Sequence, residues 1–323
     1  MNILVVSGFL GAGKTTFIKE MIRQTRRPIV VLENEYGETD LDSREISQST
    51  GDGVQVMELI EGCVCCTRKD SFANSLIAIQ ASLSPEILVV EPTGVAKLGN
   101  ILSNVQKVVW EQIRLLPPVV VIAPRSYAAN MQEYRDICED QIRHAAVVVF
   151  SKIENEAPEV IADVKRRVLD LNPNAAVIDT PYPAMGESWF NALTTEGEAP
   201  PAAESTESDR LEQLTLQDAA MTAPEQLILL LEALIHGQLG SVARAKGVVP
   251  CGGTWLRFSA ADGLYQIAAV DPQDEPQAAQ CVFIGAEVWR EAIQPFFSDW
   301  KGKGDESLRR LKAAKGSGLL FGM

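Results

Sequence analysis

The sequence predicts an α/β protein: a doubly wound, mostly parallel sheet carrying a phosphate-binding loop, followed by a smaller C-terminal α+β domain. Three observations carry the prediction. Short apolar runs at 2–6, 29–32, 55–60, 86–90, 118–122, 146–150 and 175–178 alternate with helix-length stretches such as 70–82, 97–114 and 157–170. The first run feeds into Gly8-Phe9-Leu10-Gly11-Ala12-Gly13-Lys14-Thr15-Thr16, which fits G-x-x-x-x-G-K-[ST] between a strand and an amphipathic helix. Beyond about residue 180 this alternation stops, and the composition then shifts. A sheet so wound places ligands at the carboxyl ends of its strands.

In the first loop, Gly8, Gly11 and Gly13 let the backbone aim its N–H groups at phosphate oxygens, and the helix that begins there adds the positive end of its dipole. Ala12 and Thr16 complete the nucleotide-binding set. Lys14 is expected on the β- and γ-phosphates, and the Thr15 hydroxyl on Mg²⁺. A Gly-rich turn with no ligand is the plain alternative, and the complete motif in its strand–helix context argues against it.

After the second strand, Glu33-Asn34-Glu35-Tyr36-Gly37-Glu38-Thr39-Asp40-Leu41-Asp42 brings five carboxylates together. Such density is costly unless the charges are solvated or meet a cation. A solvated acidic loop and a cation-linked segment both satisfy that condition. Further on, Glu61-Gly62-Cys63-Val64-Cys65-Cys66-Thr67 holds three of the six cysteines. The chain starts on a strand and not on a targeting leader, so a cytoplasmic location and reduced thiols are expected. Clustered reduced cysteines read as soft-metal ligands before they read as disulfides. Residues this close rarely have suitable disulfide geometry. A redox role for Cys65-Cys66 and inert burial are the alternatives.

The run Glu86-Ile87-Leu88-Val89-Val90-Glu91 reads as a buried strand ending in a carboxylate, with Pro92-Thr93-Gly94 turning the chain. In phosphate-loop proteins an acid here holds Mg²⁺, and a nearby glycine offers its N–H to the γ-phosphate; Glu91 and Gly94 fit those roles. An ordinary Pro-Thr-Gly turn is the alternative. The strand Ala145–Phe150 is followed by Ser151-Lys152-Ile153-Glu154, in the place of the Asn-Lys-x-Asp element that reads guanine. Ser151 keeps a hydrogen-bonding group without the amide, Lys152 offers a stem to cover the base, and Glu154 keeps the carboxylate on a longer arm. GTP is therefore expected ahead of ATP.

Residues 196–210 are rich in Glu, Ala, Pro and Ser and bury little, so they read as linker. The expected domains are 1–183 for the nucleotide domain, 184–219 for the connection and 220–323 for the C-terminal domain. The last has a helix at 224–236, strand-like runs at 247–250, 254–259, 264–270 and 281–284, and a helix near 286–296. Cys138, Cys251 and Cys281 are isolated and read as small buried hydrophobes. His236, in the apolar run from Leu231, reads as a satisfied core histidine.

Together the GFLGAGKTT loop, Asn34-Glu35-Tyr36-Gly37-Glu38 with Asp42, Gly62-Cys63-Val64-Cys65-Cys66, Glu91-Pro92-Thr93-Gly94 and Ser151-Lys152-Ile153-Glu154 resemble the CobW-like family of P-loop GTPases, which act as metallochaperones or metal-insertion factors. The resemblance covers roughly residues 1 to 180 strongly. Arg244-Ala245-Lys246-Gly247 and Gly253-Thr254-Trp255 extend it to the C-terminal domain through shorter signals. It implies that 33–42 is a switch that senses the γ-phosphate and Mg²⁺. Glu35, Glu38 and Asp42 are then candidates for metal binding or water positioning. Two further departures are at Val121-Ile122-Ala123-Pro124, where family members commonly end the strand with Val-Asp, and in the histidines, since many relatives carry a histidine-rich loop and this chain has only His144 and His236.

Composition agrees with a large soluble enzyme. At 323 residues with 46% hydrophobic content, the chain can bury a core in each of two domains. A net charge of −14 argues against nonspecific nucleic-acid binding, and no apolar run reaches the roughly 18 to 20 residues of a membrane helix. The expected activity is Mg²⁺-dependent GTP hydrolysis coupled to binding of a transition metal at Cys63, Cys65 and Cys66 and its delivery to a client metalloprotein or cofactor-assembly protein. Three thiolates suit tetrahedral Zn²⁺, with Co²⁺ the leading competitor. A metal-responsive regulator with vestigial hydrolysis and an ATP-dependent small-molecule kinase are the competing functions.

Overall fold

The computed structural model describes residues 1–34, 54–58, 69–110, 112–199, 211–261, 263–270 and 278–304. They fall into two compact units, Met1–Asp209 and Arg210–Met323.

The first unit is built on strands β1 (Asn2–Ser7), β2 (Ile29–Asn34), β3 (Val54–Glu58), β4 (Ile87–Pro92), β5 (Arg114–Leu115), β6 (Val119–Ile122), β7 (Val147–Phe150) and β8 (Ala176–Ile178). They pair in the order β3-β2-β4-β1-β6-β7-β8, with β5 pairing the start of β1, and every pairing is parallel. Between them run helices α1 (Lys14–Thr25), α2 (Lys69–Leu83), α3 (Leu98–Gln106), α4 (Pro124–Glu133), α5 (Arg135–His144) and α6 (Pro158–Leu171), and α7 (Gly186–Thr195) follows β8.

The near-continuous apolar strands follow from burial on both faces. Leu4, Val6, Val31, Val89, Val121 and Val149 point to the side covered by α1 and α7, where Phe17, Met21 and Phe190 pack. Their neighbours Ile3, Val5, Val30, Leu88, Val90, Val120 and Val148 point to the opposite side, against Phe72, Leu76, Ile101, Ile142, Val164 and Val168. Burying a side chain such as Phe17, which is wholly out of solvent, contributes about 1.5–3 kcal/mol. Such a sheet holds β1 rigidly, and with it the loop that leaves its carboxyl end.

The helix predicted over 97–114 ends at Gln106, because Val108, Val109 and Trp110 are poor helix formers and Trp110 instead bridges Ile113 ahead of β5. Within the span 184–219 read as connection stand two ordered elements, α7 at one end and β9 (Glu212–Ala220) at the other. Trp189, Phe190 and Leu193 seat α7 on the α1 side of the sheet, with the Phe190 ring 5.9 Å from that of Phe17. Leu214 and Leu216 point from β9 into the core of the second unit. These apolar positions are too few to stand out against the polar residues between them.

The second unit is an antiparallel sheet of six strands in the order β12-β11-β10-β13-β9-β14, comprising β9, β10 (Val242–Cys251), β11 (Thr254–Ala261), β12 (Leu264–Ala269), β13 (Gln280–Gly285) and β14 (Asp299–Gly304). Helix α8 (Pro224–Ile235) lays Leu227, Leu230, Leu231 and Leu234 against Leu216, Val249, Phe258 and Phe283. The helix expected near 286–296 is one short turn, Arg290–Ile293, followed by a 3-10 turn over Gln294–Phe296. His236 is not a core histidine. It lies just past α8, where the apolar stripe has ended, with 64% of its side chain exposed and Nδ1 2.8 Å from the Glu232 carbonyl. Cys138, Cys251 and Cys281 are buried as free thiols. Burial pushes Cys138 up to about 12 and Cys251 up to about 11, and raises Cys281 too, so all three stay protonated.

Candidate nucleotide-binding site

The chain leaves β1 at Ser7 and passes through Gly8–Gly13 into α1. Gly8 sits at φ 143 with a hypothetical Cβ 2.3 Å from the Val121 carbonyl oxygen, so any side chain would strike the backbone of β6. Gly13 caps α1 in the left-handed region, with no side-chain cap, and its carbonyl accepts the Phe17 N–H at 3.0 Å. The first N–H groups of a helix have no intrahelical acceptor, which is the arrangement that receives phosphate oxygens. Ala12 is buried and Thr16 is exposed at the rim.

Lys14 is 6% exposed, with Nζ 3.5 Å from the Phe9 carbonyl oxygen and 3.9 Å from Glu91 Oε1. The Thr15 hydroxyl donates to the same carboxylate, 3.1 Å from Oε1 and 3.3 Å from Oε2. Glu91 stands on β4, the strand that pairs with β1, and this neighbourhood is what brings residues 76 positions apart together. Next to it, the Thr93 hydroxyl is buried with no hydrogen-bond partner among the described residues. Gly94 closes against the loop, since a Cβ there would lie 2.5 Å from the Leu10 nitrogen.

Ser151 and Lys152 reach the same loop from the end of β7. Ser151 Oγ donates to the Ala12 carbonyl, and the Lys152 ammonium donates to the Gly11 carbonyl at 2.7 Å, from a backbone in the left-handed region (φ 56). Ser151 thus braces the phosphate loop and has no hydroxyl proton left for a base. Glu154 is exposed on the turn that follows.

Glu35, Glu38, Asp42, Cys63, Cys65 and Cys66 lie outside the described residues. Among the described residues, no three His, Cys, Asp or Glu side chains are grouped to hold a metal ion. Sequence motifs passed over one residue at the site: Gln141 of α5, 2% exposed, which donates to the Gly94 carbonyl at 3.1 Å and to the Ala96 carbonyl at 3.0 Å. The available signal was an amide within the buried stripe Ile137, Cys138, Gln141, Ile142. One residue earlier, Asp140 accepts the Gly99 N–H at 3.1 Å and meets His144 at 3.3 Å. The hydrogen bond to Asp140 raises the His144 pKa against the opposing effect of burial.

The phosphate cradle, the acid on the neighbouring strand and the parallel order around β1 are accompanied by a match over residues 2–179, more than half of the chain, to the model of the CobW/HypB/UreG nucleotide-binding domain. The chain belongs to the CobW/HypB/UreG family. Residues 211–300 match the cobalamin synthesis protein CobW C-terminal domain, which corresponds to the second unit. Among family relatives, the chain is 28% identical over 188 residues to zinc-regulated GTPase metalloprotein activator 1 of Schizosaccharomyces pombe, covering 56% of this chain and 46% of that protein. It is 28% identical over 159 residues to the zinc chaperone YjiA of Escherichia coli, covering 47% and 49%. The chain spans about half the length of the curated relatives it matches. The crystal structure of Zn(II)-bound YjiA GTPase from E. coli aligns over 92% of this chain and 97% of that one, with a TM-score of 0.43 and 20% identity. No helix among the described residues is long and apolar enough to cross a membrane.

Proposed function

We propose that this protein hydrolyses GTP and couples its nucleotide state to binding a transition metal, zinc, for delivery to a client metalloprotein or cofactor-assembly protein. The observation that carries the proposal is the convergence of Lys14, Thr15 and Glu91 on one spot at the mouth of the phosphate loop. The family supports nucleotide chemistry there, and the relatives' names support zinc.

The residues present fit Mg²⁺. Thr15 and Glu91 offer hard oxygen donors at one point beside a cradle for anionic phosphates, which is the donor chemistry Mg²⁺ prefers. When bound, the ion would neutralise charge on the β- and γ-phosphate oxygens. Lys14 would add a second positive charge, Gly94 an N–H toward the γ-phosphate, and the α1 N–H groups a fixed set of donors that need no reorganisation. Hydrolysis without a partner should be slow, on the order of 10⁻⁴ to 10⁻² s⁻¹, because no arginine is assigned as a finger within the chain.

Base recognition falls to Lys152 and Glu154. A carboxylate accepts from the two N–H donors on the guanine edge, whereas adenine presents no such pair. Glu154→Ala should therefore weaken GTP binding by roughly 10- to 100-fold, the scale of charge-assisted hydrogen bonds, and leave ATP binding nearly unchanged. Competition titration against a labelled nucleotide measures both. Equal losses would remove Glu154 from base reading.

Zinc is the cargo, held by Cys63, Cys65 and Cys66 as thiolates, with the fourth position open to water, a carboxylate or the client. If the cysteine segment and the γ-phosphate sensor share one conformational equilibrium, linkage requires zinc and nucleotide to alter each other's affinity by the same factor, typically about 5- to 150-fold. The test is a competitive Zn²⁺ titration of the full chain with GDP and with a non-hydrolysable GTP analogue, each with Mg²⁺. The two states should differ, Cys65→Ser with Cys66→Ser should erase the difference, and affinity should fall at acid pH as the thiols regain protons. Equal zinc affinities in both nucleotide states would leave two sites without coupling.

A further inference from the structure

The turn that follows Glu91 is held from two sides. On one side it packs onto the phosphate loop, where the contact between Gly94 and Leu10 leaves no room for a Cβ. On the other stands α5. Gln141 has one nitrogen and two protons, and both are committed, to the Gly94 carbonyl at 3.1 Å and the Ala96 carbonyl at 3.0 Å. Asp140, the preceding residue, receives the Gly99 N–H at 3.1 Å, so adjacent side chains of one helix grip both ends of 94–99, the turn together with the first residues of α3. Gln141 is 2% exposed and Asp140 9%. In so dry a setting an amide can satisfy two carbonyls without burying a charge, and removing it would leave both acceptors unmet.

We propose that Gln141 is a positioning residue for GTP hydrolysis: by tethering the Gly94 and Ala96 carbonyls it keeps the Gly94 N–H turned toward the γ-phosphate. The proposal rests on the GTPase reading above, because it gives Gly94 the γ-phosphate as its ligand. Its distinguishing consequence is selectivity. A diphosphate has no group at that place, so losing the tether should affect the triphosphate state and spare the diphosphate state.

The experiment compares wild type with Gln141→Leu in the full chain. It measures affinity for GDP and for a non-hydrolysable GTP analogue by competition titration, and kcat and KM by phosphate release. Removing two donors from buried carbonyls should lower analogue affinity and kcat by roughly tenfold each while GDP affinity stays within about twofold. Should Gln141→Leu fail to fold, Gln141→Asn replaces it. That side chain keeps the amide but is one methylene shorter and cannot hold both carbonyls, and the same selective loss is expected. Equal losses for GDP and the analogue, or no loss for either, would overturn the proposal. The wild-type control separates this failure from that of the function itself. A wild type that neither hydrolyses GTP nor binds the analogue refutes the GTPase reading, whereas a wild type that does both, matched by its Gln141 variants, refutes only the tether.

Discussion

Lys14→Ala is expected to lower GTP turnover by about 10²–10³-fold, the usual cost of deleting one preorganised group that meets charge developing in the transition state. The ammonium is almost wholly shielded from water, 3.9 Å from Glu91 Oε1, and is fixed by the start of α1. Its charge is therefore held in place before the nucleotide arrives, and at low local dielectric such a charge is worth far more than in water. Removing the cation beside the largely buried Glu91 carboxylate should also lower the thermal transition, so turnover is compared at a temperature where both proteins are folded. Single-turnover phosphate release with saturating GTP and Mg²⁺ measures the effect. Turnover equal to wild type would remove the phosphate-loop lysine from the reaction and, with it, the placement of the active site.

Gly94→Ala should reduce turnover by about a hundredfold, and for a different reason. The added methyl carbon would lie 2.5 Å from the Leu10 nitrogen and 2.9 Å from the Leu10 Cα, so the turn must retreat from the phosphate loop. A displacement of about 1 Å at a reacting centre can cost this much rate without touching the chemistry of any catalytic group. The backbone of Gly94 is not in the left-handed region, so the substitution adds crowding and no conformational strain. Far-UV circular dichroism and GDP affinity should stay near wild type while phosphate release collapses. A variant that hydrolyses normally would show that the contact between turn and loop is slack, and that Gly94 does not face the γ-phosphate.

How far sequence anticipates this molecule depends on the kind of force involved. The P-loop was legible because its spacing is dictated by backbone geometry: glycines must stand where the chain approaches β6 and where α1 is capped. The buried strands were legible because both faces are covered, which leaves runs such as Val119–Ile122 and Val147–Phe150. Helix α7 was missed because Trp189, Phe190 and Leu193 are few and sit next to a polar, Pro-rich stretch, although Phe190 is wholly buried. His236 misled because it continues an apolar run by one residue, and one residue past Ile235 is enough to carry it off the packed face. Gln141 had no motif to announce it. Its partners are 45 and 47 positions away, and only the parallel order of the strands brings them within reach.

The ties from Ser151 to Ala12 and from Lys152 to Gly11 have a consequence for redesign. Both side chains end on backbone carbonyls of the phosphate loop, so, on the base-reading role proposed for this segment, replacing either should disturb phosphate and base binding together. Glu154 stands on the solvent side of the same turn and has no such attachment to the loop. An engineer wishing to exchange guanine for another purine would therefore vary position 154 alone and leave 151 and 152 in place as braces of the phosphate loop. On the base-reading role proposed for Glu154, the choice of nucleotide and the ability to cleave it would be separable by a distance of two residues.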